Sequence, residues 1–344
     1  MKIALLVPAP FDTVSGGYIY DRRMVEGLRG LGHEVRVVEL AGRHPMPDAA
    51  AEASAREAFA GLAANEVPLI DGLGLPAFAP LAPELAARMA VALIHHPTSL
   101  EPGPDQAALA ERERTLFAAC GRFITTSVYT ARAMPALGAD RLRIGVIEPG
   151  TDPAPRARGS AGPGARILSV GSLIPRKGHD VLLRALARLT DLDWELRIAG
   201  PPADPVHAQG LAALAEELGL TARVSFLGSL GQAELEAEYT EADLFALATH
   251  FEGYGMVAAE AQARGLPLAL CTGGAVADLV GKGAAILAAP GDFNSLSRGM
   301  RRPLFDTALR AEMAEASWKA GQALPRWDDR AAKLAAELEV AGHG

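Results

Sequence analysis

Apolar residues in this chain fall into short unbroken runs separated by stretches with a helical repeat. Ile3 to Val7 is the first run, as expected for a strand buried on both faces. A loop containing Ser15-Gly16-Gly17 follows. A helical pattern then passes through Met24, Val25 and Leu28 and ends at Gly32, and Val35 to Val38 reads as the second strand. Ala90 to Ile94 and Arg122 to Thr126 are further buried strands, whereas the segment 44–60, Pro-rich at its entry and Ala-rich in its body, fits no single element.

From Glu148 to Gly164 proline and glycine dominate and periodicity vanishes, which marks a linker. A second alternation then begins: strand 166–170, helix 179–189, strand 194–199, helix 207–218, strand 223–227, helix 232–240, strand 243–248, helix 255–264 and strand 267–271. Strands alternating with helices imply parallel, doubly wound sheets, an α/β class. Two such units in tandem are expected to bind ligand in a cleft between them, at the ends of their strands. The boundaries read as 1–152 for the first unit and 153–324 for the second. A helix over 325–344 is expected to cross back to the first.

Composition narrows the class. The 344 residues are long for one core and suit two. The formal charge of −8 is spread evenly, with 14 Lys and Arg against 18 Asp and Glu in residues 1–152. No half is basic, which argues against nucleic acid as partner. The two cysteines, Cys120 and Cys271, fall in different halves, so a cytosolic location is expected. The opening apolar run is too short for a secretory signal. The longest apolar region, 67–94, is broken by Asp71, Glu84, Arg88 and prolines, so no transmembrane helix is expected.

The most informative stretch is Glu252-Gly253-Tyr254-Gly255-Met256-Val257-Ala258-Ala259-Glu260, placed just after a strand. Strand, glycine-bearing turn and helix N-terminus together form an anion site, because the first amides of the helix lack partners. Glu260 lies about five residues into the helix, roughly 7 Å from its end at 1.5 Å per residue. A ligand with hydroxyls at both ends and a diphosphate between them fits that spacing. The second cationic candidate is Ser169-Val170-Gly171-Ser172-Leu173-Ile174-Pro175-Arg176-Lys177-Gly178, which runs from strand to helix. Lys177 is one of only five lysines. Asp191-Leu192-Asp193 has the form of a metal–phosphate motif but precedes a strand, so it reads as a turn and no metal is expected.

The Glu-x7-Glu pattern, followed by Ala261-Gln262-Ala263-Arg264-Gly265-Leu266-Pro267 and Gly273-Gly274, resembles the donor-binding signature of family 4 glycosyltransferases (glycosyl transferases group 1). Gly16-Gly17, Gly32-His33-Glu34-Val35, Val170-Gly171 with Lys177-Gly178, Phe226-Leu227-Gly228 and the Trp327 region extend the resemblance over most of the chain. It implies a GT-B fold of two Rossmann-like domains, metal-independent binding of a nucleoside-diphosphate sugar (UDP-sugar ahead of GDP-sugar), and retention at the anomeric carbon. It further implies that Glu252 contacts the donor sugar, that Glu260 holds ribose hydroxyls, and that the Gly255, Met256 and Val257 amides and Lys177 bind the diphosphate. Gly16 and Gly17 would let the backbone approach the transferring group.

A histidine is expected near the donor sugar after the strand Ala90–Ile94, His95 first and His96 as alternate. The family's usual arginine is replaced by Ser172; Arg176, near in sequence, would point elsewhere on a regular backbone, so either Arg176 takes its place at the diphosphate through a shifted loop or Ser172 leaves weaker diphosphate binding. A hexosyltransferase with a soluble small-molecule or saccharide acceptor and no resident cofactor is the leading reading. A non-catalytic nucleotide-sugar binding protein and a GT-B sugar epimerase are the alternatives, and these residues leave the acceptor and the oligomeric state open. A two-domain dehydrogenase is disfavoured, because no Gly-x-Gly-x-x-Gly follows the first strand.

Overall fold

The computed structural model describes residues 1–101 and 104–342. It divides into two compact units, Met1–Gly150 with Pro325–Gly344, and Thr151–Leu324.

The first unit runs β1 (Lys2–Pro8), α1 (Gly16–Gly30), β2 (Glu34–Leu40), α2 (Ala49–Ala60), β3 (Glu66–Asp71), α3 (Ala82–Ala87), β4 (Val91–Ile94), α4 (Gln106–Ala119), β5 (Arg122–Thr125), α5 (Val128–Ala133) and β6 (Ile144–Val146). All strands are parallel, in the order β2-β1-β3-β4-β5-β6. Chain progression reverses between β1 and β3, and such a switch point leaves a crevice at the carboxyl ends of the strands. One apolar cluster joins the sheet to α2 and α4, and another joins its opposite face to α1 and the C-terminal helix.

The second unit runs β7 (Ala165–Val170), α6 (His179–Leu186), β8 (Trp194–Ala199), α7 (Pro205–Glu217), β9 (Val224–Gly228), α8 (Gln232–Glu241), β10 (Leu244–Leu247), α9 (Met256–Ala263), β11 (Leu268–Cys271), α10 (Val276–Leu279), β12 (Ala285–Ala288), α11 (Phe293–Phe305) and α12 (Thr307–Gly321). Its six parallel strands are ordered β12-β11-β10-β7-β8-β9, so the reversal falls between β7 and β10. The last helix, α13 (Trp327–Gly342), packs in the first unit, where Leu334 and Leu338 are fully buried beside α1. Residues 343–344 of the helix expected over 325–344 lie outside the described residues. Among the described residues no helix is long and apolar enough to cross a membrane.

Three features differ from the sequence expectation. The segment 44–60 resolves into α2, started by Asp48, whose carboxylate caps the Ala51 amide. Strand β3 was masked in the pattern because Leu69-Ile70 runs on into the apolar stretch Leu75–Leu81. Gly16 and Gly17 occupy the first turn of α1 and not the loop before it, since the Ser15 carbonyl already accepts from the Ile19 amide.

The β7–α6 loop shows why glycine is required at one position. Gly178 has φ of +63°, and a Cβ there would stand 2.0 Å from the Ala248 carbonyl oxygen. Replacing Gly178 with alanine should cost about 2–4 kcal/mol, from left-handed strain plus overpacking. Gly210, inside α7 with open space where its Cβ would go, should behave oppositely, its alanine variant gaining about 0.5–1 kcal/mol. Urea unfolding of both variants checks the contrast, and equal shifts would refute it.

Candidate active site

The loops that leave β7 and β10 flank the switch point of the second sheet, and they bring together residues 75 apart in sequence. Lys177 Nζ lies 2.6 Å from Glu252 Oε1. Arg176 Nη1 lies 3.7 Å from the same oxygen and donates to the Phe251 carbonyl at 2.7 Å, while Thr249 Oγ1 donates to Glu252 at 3.2 Å. Arg176 thus turns toward the same carboxylate as Lys177. A single 3-10 turn over Pro175–Lys177 swings both cations to one carboxylate. Burial alone would raise the Glu252 carboxyl, but Lys177 and Arg176 outweigh it and hold the group below its usual range.

Glu252 is fixed through its backbone as well. Its amide donates to the Gly273 carbonyl, and its own carbonyl accepts from the Ala275 amide, both at 2.9 Å. Three residues on, Gly255 caps α9 at φ +102°. The amides of Gly255, Met256 and Val257 make no backbone hydrogen bond among the described residues, as expected of a helix start. Ser172 lies in the turn after β7, its carbonyl accepting from the Ile174 amide at 2.9 Å.

Glu260, five positions into α9, accepts a 2.9 Å hydrogen bond from the buried Tyr239 hydroxyl. Arg264 lies over the Tyr239 ring at 4.5 Å, donates to the Glu260 carbonyl oxygen at 2.9 Å and pairs with Glu236. Here burial wins: the Glu260 carboxyl is pushed up, and the bond from Tyr239 and the charge of Arg264 offset this only in part. Tyr239 and Arg264 escape motif reading. A tyrosine 21 residues before the glutamate carries no spacing signal until the strand between them folds.

In the first unit, His95 and His96 part company. His95 Nε2 meets Asp21 Oδ1 at 3.1 Å and Asp71 Oδ2 at 3.3 Å, whereas His96 Nε2 meets Glu101 Oε1 at 2.7 Å. Gly17 closes on His95: a Cβ there would stand 3.1 Å from the ring Cδ2. Gly16 is its neighbour in the same turn. Neither Asp21 nor Asp71 is reached by motif reading, though Asp21 is the one acid on the buried face of α1. The three ligand atoms of His95 and its aspartates lie within 4.8 Å of one another, close enough for a cation, and the His95 ring contacts both carboxylates. Asp191, of the Asp-Leu-Asp turn, forms two 2.8 Å bonds with Arg301 on the surface.

Residues 152–320, just under half of the chain, match the family model for glycosyl transferases group 1. Among curated relatives, a D-inositol 3-phosphate glycosyltransferase of Mycobacterium sp. (strain KMS) is 35% identical over 205 residues, which is 53% of this chain and 46% of the relative. The chain thus spans about half the length of the curated relatives it matches. Among solved structures, sucrose-phosphate synthase from Thermosynechococcus elongatus superposes with a TM-score of 0.82 at 18% identity, covering 98% of each chain. Anabaena Alr3699/HepE in complex with UDP superposes with a TM-score of 0.75 at 18% identity, covering 99% of this chain and 100% of the other. The fold is GT-B, an α/β pair of Rossmann-like units.

The two glutamates should respond oppositely to neutralisation. The lowered Glu252 carboxyl contributes stability that is present above its unfolded pKa and lost as pH falls through the folded one. Glu252→Gln should therefore destabilise at neutral pH by about 1–3 kcal/mol and less in acid. The raised Glu260 carboxyl carries a penalty at neutral pH that vanishes below its unfolded pKa, so Glu260→Gln should stabilise at neutral pH and not in acid. Unfolding midpoints in mildly acidic and neutral buffer measure both, and like signs at neutral pH would contradict the electrostatic account.

Proposed function

We propose that this protein, whose residues 152–320 match the family model for glycosyl transferases group 1, is a retaining, metal-independent glycosyltransferase. It moves a hexose from a nucleoside-diphosphate sugar, UDP-sugar first, to an acceptor hydroxyl. The observation that carries this reading is the Glu252–Lys177–Arg176 cluster set beside the open amides of α9, at the switch point of the second sheet. A carboxylate for sugar hydroxyls, two cations and a helix N-terminus for a diphosphate, and Glu260 farther along the same helix follow the length of such a donor.

In the reaction the bond between the anomeric carbon and the diphosphate oxygen breaks. The acceptor oxygen bonds to the same face, and its proton passes to the departing phosphate oxygen. The leaving diphosphate gains negative charge, which Lys177, Arg176 and the amides of Gly255, Met256 and Val257 neutralise. On donor binding Lys177 exchanges Glu252 for phosphate, which frees the carboxylate for the sugar and for the oxocarbenium character of the transition state. Glu260, held by Tyr239, takes the ribose hydroxyls. The curated relatives are named for D-inositol 3-phosphate, but the match spans about half their length. The acceptor is therefore proposed only as a small molecule or saccharide bearing a hydroxyl.

Ser172 favours one second reading, a nucleotide-sugar binding protein without turnover, because it stands where the resemblance implies an arginine. Single-turnover release of nucleoside diphosphate from donor separates the two.

UDP at 100 times its dissociation constant should stabilise the protein by about 2.7 kcal/mol without added metal, and a chelator should leave the shift intact. Lys177→Ala should cost about 2–4 kcal/mol in transition-state stabilisation, read from kcat/KM. Glu260→Ala should chiefly weaken UDP binding and Glu252→Ala chiefly slow transfer. Strict dependence on magnesium or manganese, or full transfer by the Lys177 variant, would sink the assignment.

A further inference from the structure

The environment of His95 is unusual for a histidine at a strand end. One nitrogen, Nε2, faces two carboxylates that come from different elements, Asp21 from α1 and Asp71 from the end of β3. Both are buried, at 1% and 3% exposure. Two acids so close cannot both ionise in a buried place without a cation beside them. Their ion pairs among the described residues go to His95, with Arg22 acting on Asp21 at longer range.

The ring cannot turn away from this seat. Tyr20 meets it edge-on, with centroids 5.3 Å apart and planes at 82°, and Gly17 packs on its Cδ2 side. Its own carbonyl accepts from Thr126 Oγ1 at 3.0 Å and Thr130 Oγ1 at 3.4 Å. The other nitrogen, Nδ1, makes no hydrogen bond among the described residues, and 18% of the side chain stays exposed.

We propose that Asp21 and Asp71 are positioning residues that lock His95 as an imidazolium, so that Nδ1–H is a fixed, charged hydrogen-bond donor to a substrate oxygen and never a base. The part of this that concerns substrate rests on the glycosyltransferase reading; the charge state of the ring does not. Burial opposes the imidazolium, but Asp21 and Asp71 outweigh it and push His95 up to about 10. Asp21 is itself pushed up, because burial and the neighbouring Asp71 outweigh its share of the one cation. The other ionisable groups at the seat are Tyr18, pushed up to about 12, and Tyr20, raised further, both by burial first. Glu39 acts on Tyr18, and Arg330 of α13 on Tyr20. Both tyrosines therefore stay neutral over the range in which an ordinary histidine, at about 6.5, would titrate.

Nitrogen-15 spectra of the full chain labelled at histidine test the charge state directly, with the Nδ1 and Nε2 signals assigned by their loss in His95→Gln. Both nitrogens should remain protonated at about pH 8, well above the ordinary value of about 6.5. In Asp71→Asn the ring should titrate below its wild-type value, though Asp21 still faces Nε2, and in Asp21→Asn it should fall further, because Asp21 is the larger contributor. A neutral His95 in the wild type at about pH 8 overturns the proposal whatever the activity. Should Asp21→Asn fail to fold, the wild-type spectrum and Asp71→Asn still decide.

The second arm is the pH profile of transfer. Wild type should show no loss from a histidine through the neutral range. Asp71→Asn should lose kcat roughly tenfold per pH unit above its lowered His95 value, with UDP affinity unchanged. A loss by the same factor at every pH would make Asp71 merely structural and overturn the positioning role. Absence of transfer by the wild type would instead refute the functional reading and leave the spectra to judge the imidazolium.

Discussion

The second unit is organised around one buried carboxylate. Glu252 leaves β10 at the switch point, where it is only 7% exposed, and an unpaired charge there would cost several kcal/mol. Lys177, Arg176 and Thr249 satisfy it, and the first two arrive on the loop from β7. That loop can reach only because the chain turns at Pro175–Lys177 and then passes against Ala248 at Gly178. The pairing thus ties the two central loops of the sheet to one another and fixes the start of α9 beside them. In the proposed reaction an incoming phosphate takes the carboxylate's place at Lys177, and the sugar hydroxyls take the place of Lys177 at Glu252.

The first unit solves the inverse problem. Around Glu252, two cations serve one anion; around His95, two anions serve one cation. In each case the surplus charge sits at the carboxyl ends of central strands and has the sign that the local side chains cannot neutralise among themselves. Helix α1 contributes both parts of the second arrangement, Gly17 for the close approach and Asp21 for the charge, four residues apart and so on one face of the helix. Tyr20, between them, ties the helix to the Ile147 carbonyl at 3.0 Å and to the ring of Trp327. The geometry at His95 therefore depends on the final helix packing back on the unit.

The alternation of short apolar runs with helical repeats made the α/β class legible, since runs such as Leu244–Leu247 between helices fit strands covered on both faces. Strand β3 was not legible, because only Asp71 and Gly72 set its end apart from the apolar turns that follow. At the site, Glu252, Glu260 and Lys177 stood out because they belong to local motifs. Asp21, Asp71 and Tyr239 did not, since each matters only through a partner dozens of residues away. Arg176 is the instructive case. Regular backbone geometry separates its side chain from that of Lys177, but one tight turn brings both to the same oxygen.

The two glutamates of α9 and its approach show why motif spacing alone underdetermines chemistry. Glu252 and Glu260 are the same residue type on one short segment, yet one is held ionised by cations and the other is pushed toward its protonated form by burial. The difference lies in what reaches them. Lys177 and Arg176 contact the first carboxylate directly, whereas Arg264 spends its guanidinium on Glu236, the Tyr239 ring and the Glu260 backbone carbonyl. Glu260 is left with a neutral hydroxyl as its side-chain partner. A carboxylate short of donors gains most from a ligand that brings hydroxyls to it, as a ribose would. One already paired with cations gains most from a ligand that brings anionic oxygens to those cations. The order of these two environments along the helix, cation-paired at its start and donor-poor within, is what gives the proposed donor its direction across the site.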